Sequence, residues 1–422
     1  MGKVWDTVVI GAGPAGLAAA IAAHEAGAGV CLIERESRPG GILKQCIHDG
    51  FGLVRYGEKL TGPEYAWRDI QEVRRRGIPI FTETFLLELR REGEGFALIL
   101  QNREQAVFQL QARALVAATG CRERTSRQVF IHGQRPAGIY TAGTVQHLIN
   151  IEGLLPGRRC VILGSGDIGL IMARRLVLEG AQVEGVYEIK PEPSGLTRNL
   201  VQCLQDYNIP LHLSATVTQV LGRERVEGVM VSPVDERLRP LPGQGRLVPC
   251  DTLVLSVGLI PENDILAPLG VELNPRTGGP AVDQHLATNV PGLYSCGNAL
   301  HVNDLVDYVS ESGTTAGRAA AEYALGQGRE PRHLELSPEG DILYAVPSRL
   351  DVAAGGQAVI YLRSARTLRN AQVAVTVGGE TLMRKRYPVM RPPEMERLVL
   401  DLTAIPAGAE KVILNLKGEE NG

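Results

Sequence analysis

The chain twice runs an apolar strand straight into a glycine loop and then into a helix, and this repeat constrains the fold more than any other feature. In the first copy, Thr7–Ile10 reads as a buried strand. It is followed at once by Gly11-Ala12-Gly13-Pro14-Ala15-Gly16 and an alanine-packed helix from Leu17 to Ala26. Gly11 permits the tight turn, Gly13 lets a pyrophosphate approach the backbone, and Gly16 lets helix and strand pack closely. The N–H groups and positive dipole at the helix N-terminus then favour phosphate. The next strand, Gly29–Ile33, ends at Glu34, placed to accept hydrogen bonds from ribose hydroxyls, with Arg35 beside it. Glycine spacing alone is a weak signal; strand, helix and terminal acid in register make it a strong one.

In the second copy, Arg158–Leu163 leads into Gly164-Ser165-Gly166-Asp167-Ile168-Gly169 and a helix through Leu178. The strand after it, Gln182–Tyr187, ends at Glu188, nearly as far from its first glycine as Glu34 is from Gly11. An acid here favours the free 2′-hydroxyl of NAD(H) and repels the 2′-phosphate of NADP(H). Lys190, two residues on, softens that preference.

Residues 4–330 alternate apolar strands with Ala-, Gly- and Leu-rich helical stretches, the pattern of a parallel α/β sheet. After about Arg332 the texture changes to short alternating segments such as Ala358–Arg363, Gln372–Val377 and Leu398–Leu402, separated by Gly, Pro and Asn. These predict a small all-β, sandwich-like unit. A length of 422 residues accommodates two or three domains. The net charge of −3, with both signs interleaved, gives no electrostatic reason to expect nucleic-acid binding.

No apolar run reaches the roughly 18–20 residues that span a bilayer. The N-terminus enters a strand pattern directly, so neither a transmembrane segment nor a signal peptide is expected. The seven cysteines (31, 46, 121, 160, 203, 250 and 296) form no CxxC pair. That argues against a metal site and for a reduced, cytoplasmic setting.

Further segments carry a family resemblance. Leu115-Val116-Ala117-Ala118-Thr119-Gly120 looks like the ATG strand that closes a first FAD segment, and Leu253–Gly258 with Pro261 like its counterpart. Thr288–Asn298, ending in Cys296-Gly297-Asn298, looks like a late FAD motif. With the double fingerprint, these resemble the two-dinucleotide-binding-domain flavoproteins, the group containing thioredoxin reductase, NADH oxidases and ferredoxin reductases. The loop Gly40-Gly41-Ile42-Leu43-Lys44-Gln45-Cys46-Ile47-His48 and the stretch Arg135–Ile139 are similar to one branch of that group. This branch accompanies glycerol-3-phosphate-dehydrogenase-like flavoproteins and resembles the α subunits of heteromeric amine and amino-acid dehydrogenases.

The resemblance implies an α/β chain with two Rossmann-like dinucleotide-binding domains, the second inserted in the first. The FAD-binding domain would take residues 1–122 and 262–330, the NAD(P)-binding domain 123–261, and a C-terminal β-rich domain 331–422. FAD would be held by Gly11, Gly13, Pro14, Ala15, Gly16, Glu34, Arg35, Gly40, Gly41, Ile42, Ala118, Thr119, Gly120, Gly297 and Asn298. The nicotinamide cofactor would be held by Gly164, Ser165, Gly166, Asp167, Ile168, Gly169, Glu188 and Gly258. The late motif normally ends in Gly-Asp, whose aspartate binds the ribityl chain; Asn298 stands there instead and brings no charge. His301, Asp304 and Asp307 would begin the helix that follows, with Asp304 as a possible N-cap.

Hydride transfer between NAD(P)H and flavin is mainly positioning, with reacting atoms about 3–3.5 Å apart. Where the electrons then go is open to three readings. With no cysteine pair, metal site or obvious substrate clamp, a partner subunit or redox protein would exchange them, and the β unit would be a docking surface. Alternatively, Cys46, with His48 nearby, would serve a self-sufficient NADH oxidase or peroxidase. In the third, the cofactors persist in a non-catalytic scaffold subunit. Cys46 also reads as a plain packing residue, and His48 as a hydrogen-bonded loop residue.

Overall fold

A strand buried on both faces needs a cover on each, and Val4–Ile10, with Thr7–Ile10 fully enclosed, sets the architecture of the first unit. A computed structural model of the chain describes residues 3–328 and 330–420. Its contacts divide the chain into two compact units, Met1–Cys121 with Pro261–Gly422, and Arg122–Ile260.

In the first unit, Val4–Ile10 pairs in parallel with Val30–Ile33 on one side and with Ala106–Ala117 on the other. Leu293–Ser295 adds in parallel beyond Ala106–Ala117, with Tyr294 opposite Val116. Gly95–Asn102 and Phe85–Glu92 extend the same sheet as antiparallel strands. The helix Pro14–Glu25 buries every residue from Ala15 to Ala23 because the sheet lies on one side and the long helix Val306–Ala324 on the other. Alanine and glycine make that possible. A Cβ at Gly313 would lie 2.1 Å from the Ala15 carbonyl oxygen, and one at Gly317 would lie 2.0 Å from that of Ala19. The two helices therefore meet backbone to backbone.

The second unit repeats the plan. Arg159–Leu163 lies between Gln182–Tyr187 and Thr252–Leu255 in a five-stranded parallel sheet. Ala215–Leu221, Gly228–Pro233 and Arg246–Pro249 form most of a separate four-stranded sheet, joined by His132–Gly133.

The C-terminal strands form one five-stranded and one three-stranded sheet. The alternating segments of the sequence fall on Gln357–Ser364, Leu368–Val377 and Met395–Asp401, with Leu402 of the last segment just past its strand, opening a short helical turn. Their inward residues share one core: Leu336, Val373, Val375 and Leu414 from the larger sheet, and Ile360, Leu362, Leu398 and Leu400 from the smaller. The change of texture in the sequence sets 331–422 apart as its own domain. In the structure this segment packs within the first unit, because Tyr344 and Val346 enter the core that holds Val9 and Leu17. Among the described residues, no helix is long and apolar enough to cross a membrane.

Candidate functional site

The first glycine loop opens at the carboxyl end of Val4–Ile10, where ligands of open α/β sheets bind. Gly11 has φ 103°. A Cβ there would meet the Ala118 carbonyl oxygen at 2.4 Å, so only glycine lets the ATG segment close on the turn. Gly13 caps the following helix with no side-chain hydrogen bond, leaving the first-turn N–H groups for a ligand. A Cβ on Gly41 would lie 3.0 Å from the Gly13 Cα, and the Gly40 N–H donates to the Ala12 carbonyl at 2.8 Å. A Cβ on Gly297 would lie 2.7 Å from that of Ala15. Three segments far apart in sequence thus converge on one loop. The Thr119 hydroxyl ties the ATG segment to the returning chain by donating to the Glu262 carbonyl at 2.6 Å.

Glu34 is buried. Its Oε2 accepts from the Ala12 N–H and its Oε1 from the Glu36 N–H, both at 2.9 Å. A carboxylate has about four acceptor positions, so each oxygen of Glu34 keeps one, as a ribose diol requires. This glycine cradle with a two-handed acid fits the adenosine and pyrophosphate of FAD. Arg35 and Ile42 are exposed beside it.

Asn298 is occupied by protein partners, in its own loop and beyond it. Its Oδ1 accepts from the Asn303 N–H at 3.1 Å and from Asn303 Nδ2 at 3.3 Å, while its Nδ2 donates to Cys121 Sγ at 3.7 Å. Asp304 is not an N-cap: the helix starts at Val306 with Leu305 as cap, and the Asp304 carboxylate binds Arg363 and the Met395 N–H. Asp307 accepts from the backbone N–H groups of Val54 and Arg55 at 3.5 and 3.2 Å, holding the 52–57 turn against the helix.

Cys46 and His48 lie on the loop that follows Gly41, and they face different partners. The Cys46 thiol donates to the Ile42 carbonyl at 3.4 Å, and His48 Nδ1 pairs with the Asp49 carbonyl at 3.2 Å. Burial pushes the Cys46 thiol up to about 12, opposite to the shift a nucleophilic thiolate needs. None of the seven cysteines is in a disulfide. Among the described residues, no cluster of His, Cys, Asp and Glu is arranged to hold a metal ion.

The second glycine loop has the same construction with different fittings. Ser256 takes the place that Ala118 has in the first: a Cβ at Gly164 would lie 2.1 Å from the Ser256 carbonyl oxygen, and one at Gly169 would lie 2.8 Å from Ser256 Cβ. Gly166 is open, with Ser256 Oγ the nearest neighbour at 3.7 Å. Glu188 is buried, and its Oε2 accepts both the Ser165 N–H at 3.0 Å and the Ser165 hydroxyl at 2.6 Å. Its Oε1 accepts the Lys190 N–H at 3.1 Å, so Glu188 retains a single acceptor position. Residues 194–199 strap across this loop. Ser194 N–H donates to Ser165 Oγ at 2.8 Å, and Leu196 N–H and Asn199 Nδ2 donate to Asp167 Oδ1 at 2.9 and 2.6 Å. The glycine spacing carries no sign of this strap. Ser256 is legible as the residue after the closing strand, at the position Ala118 holds after its own. Gly258 has φ 102° and accepts the Arg124 N–H at 3.1 Å.

The sequence pattern of the pyridine nucleotide-disulphide oxidoreductases matches residues 5–328. The chain belongs to this family. Its family is named for oxidoreductases that act on pyridine nucleotides, and its fold is thioredoxin-reductase-like. It is 28% identical over 283 residues to hydrogen cyanide synthase subunit HcnB of Pseudomonas aeruginosa, covering 63% of this chain and 59% of that one. An opine oxidase subunit of Agrobacterium tumefaciens is 26% identical over 349 residues, covering 76% of this chain and 65% of its own length. The chain thus spans about three-fifths of the length of these curated relatives. The crystal structure of T. acidophilum thioredoxin reductase superposes with a TM-score of 0.62 at 22% identity, over 77% of this chain and all of that one, a likeness of fold.

Proposed function

We propose that the chain passes reducing equivalents between a nicotinamide cofactor, bound in residues 123–261, and FAD, bound by residues 1–122 and 262–330, and exchanges them with a partner subunit. The observation that carries the FAD assignment is the convergence of Ala118, Gly41 and Gly297 on the first glycine loop, with Glu34 keeping one acceptor on each oxygen. Bound FAD supplies a two-electron carrier between the nicotinamide and the next acceptor. The chain's own residues position it. Gly13 and Gly41 admit the pyrophosphate, the N-terminus of Pro14–Glu25 offers it N–H groups, and Glu34 receives the ribose hydroxyls. In the second loop, Glu188 offers its remaining acceptor to a ribose hydroxyl and repels a 2′-phosphate, which supports NAD over NADP.

A partner is supported by two facts. The relatives named above are called subunits, of hydrogen cyanide synthase and of opine oxidase. Cys46, the candidate for internal chemistry, gives its thiol to the Ile42 carbonyl, and burial pushes it up to about 12.

Anaerobic titration of the FAD-loaded chain with NADH and with NADPH tests the reading. NADH is expected to bleach the visible flavin band at lower concentration than NADPH, with turnover appearing once an electron-accepting dye is added. A Cys46→Ser variant is expected to turn over within about twofold of the parent, since a protonated thiol contributes little nucleophilicity. Oxygen- or peroxide-dependent turnover that disappears in Cys46→Ser would overturn the partner assignment.

A further inference from the structure

We propose that the C-terminal strands clamp the late motif from both flanks and so fix the flavin end of the first unit, with Arg363 and Glu311 as the principal positioning residues. The inference rests on the reading that residues 288–298 face FAD. Upstream of the motif, Gln284 and the Asp351 backbone exchange two hydrogen bonds, at 2.8 and 2.7 Å. Asp283 pairs with His333 at 3.2 Å, and the Ser348 N–H donates to the Val282 carbonyl at 3.0 Å. Downstream, both Asp304 oxygens are held from the C-terminal strands, one by Arg363 and the other by the Met395 N–H at 2.6 Å. Glu311 receives a fork from Arg397, at 2.6 and 3.2 Å, together with the Tyr361 hydroxyl. The late motif lies between the two grips.

Arg363 shows that the joint is built rather than incidental. A guanidinium has five N–H donors. Here Nε goes to the Tyr344 hydroxyl, Nη1 to the Pro392 and Pro393 carbonyls, and Nη2 to the Val302 carbonyl and Asp304. The side chain is only 11% exposed, so it is not one of the solvated surface pairs that contribute little. His301, buried, contacts the rings of Tyr344 and Tyr361, with centroids at 6.1 and 5.5 Å. The grip reaches the motif by one short step. Asp304 adjoins Asn303, which donates to Asn298, and Gly297 packs on Ala15 of the first glycine loop. A surface for docking another protein would not need its charges spent inward on either side of a cofactor motif.

The test uses the full chain reconstituted with FAD, comparing the parent with Arg363→Lys, Glu311→Gln and Tyr361→Phe. Arg366→Ala, at an exposed pair with Asp341 in the turns between the C-terminal strands, serves as control. FAD release, the shape of the visible flavin band and the flavin midpoint potential are measured. Arg363→Lys keeps the charge and loses the fork, so release is expected to rise at least about tenfold with a changed band shape and a shifted potential. Glu311→Gln and Tyr361→Phe follow in the same direction, and Arg366→Ala matches the parent. Failure of the parent to take up FAD overturns the cofactor reading and the clamp with it. FAD uptake by the parent, with all three clamp variants matching it in release rate, band shape and potential, overturns the clamp alone.

Discussion

Glu34 and Glu188 close equivalent strands, yet their carboxylates have different capacity left over. Glu34 spends one acceptor per oxygen on backbone, whereas Glu188 spends three of about four, two of them on Ser165. A Glu34→Gln variant is expected to weaken FAD binding about 10–100-fold, the cost of one charge-assisted hydrogen bond, as read by flavin fluorescence titration. Unchanged affinity would remove Glu34 from the site. His301 carries a second residue-scale expectation. Burial, reinforced by Arg363, pushes its imidazole down to about 4. The folded chain therefore binds fewer protons than the unfolded one between that value and the ordinary histidine range near 6.5, and stability falls as pH falls through this window. The full effect is on the order of 3 kcal/mol. Urea midpoints of the parent and of His301→Gln, compared between pH 7 and 4.5, should converge as pH falls; parallel curves would assign the acid loss to other groups.

At the scale of elements, the contact between helices Pro14–Glu25 and Val306–Ala324 joins the first glycine loop to the helix after the late motif. Gly313 and Gly317 let the backbones touch. Gly317→Ala is expected to cost about 1–3 kcal/mol by overpacking, measured by chemical denaturation, and to loosen FAD as well. An Ala variant as stable as the parent would mean that the helices separate freely. This contact is only half legible in sequence. The alanine run Ala18-Ala19-Ala20 announces a close-packed helix, but nothing local says that Gly313 and Gly317 lie against it. The glycine loops themselves are legible because their chemistry is local: strand, turn, helix and acid lie within about two dozen residues. Asp304 reads as a cap because N-caps are local too; its true partners, Arg363 and Met395, lie far along the chain.

For the whole molecule, the two units differ in how separable they are. Arg122–Ile260 is one continuous stretch with its own core, and it lies inside the span that the family pattern matches. The C-terminal strands are different, because Tyr344 and Val346 complete the core around Val9 and Leu17. A chain ending at Gly328 is expected to melt at least about 10 °C below the full chain, or to aggregate, in a thermal scan followed by light scattering. A shortened chain with an unchanged melting point would make the C-terminal strands a detachable appendage. Alternation foretells the strands and their sandwich, since period-2 burial is written residue by residue. It does not foretell where the sandwich docks, because docking depends on side chains such as Arg363 and Gln284 that look ordinary in sequence.

Arg363 and Arg397 are translated after every other part of the first unit's glycine loop and late motif. A nascent chain emerges from its N-terminal end, so the fingerprint, the ATG strand and Gly297 all leave the ribosome while both flanking grips are still unmade. With the proposed clamp, final seating of FAD would be a late event in biosynthesis, and a ribosome stalled before Arg397 would carry a nearly complete binding loop that has not been locked.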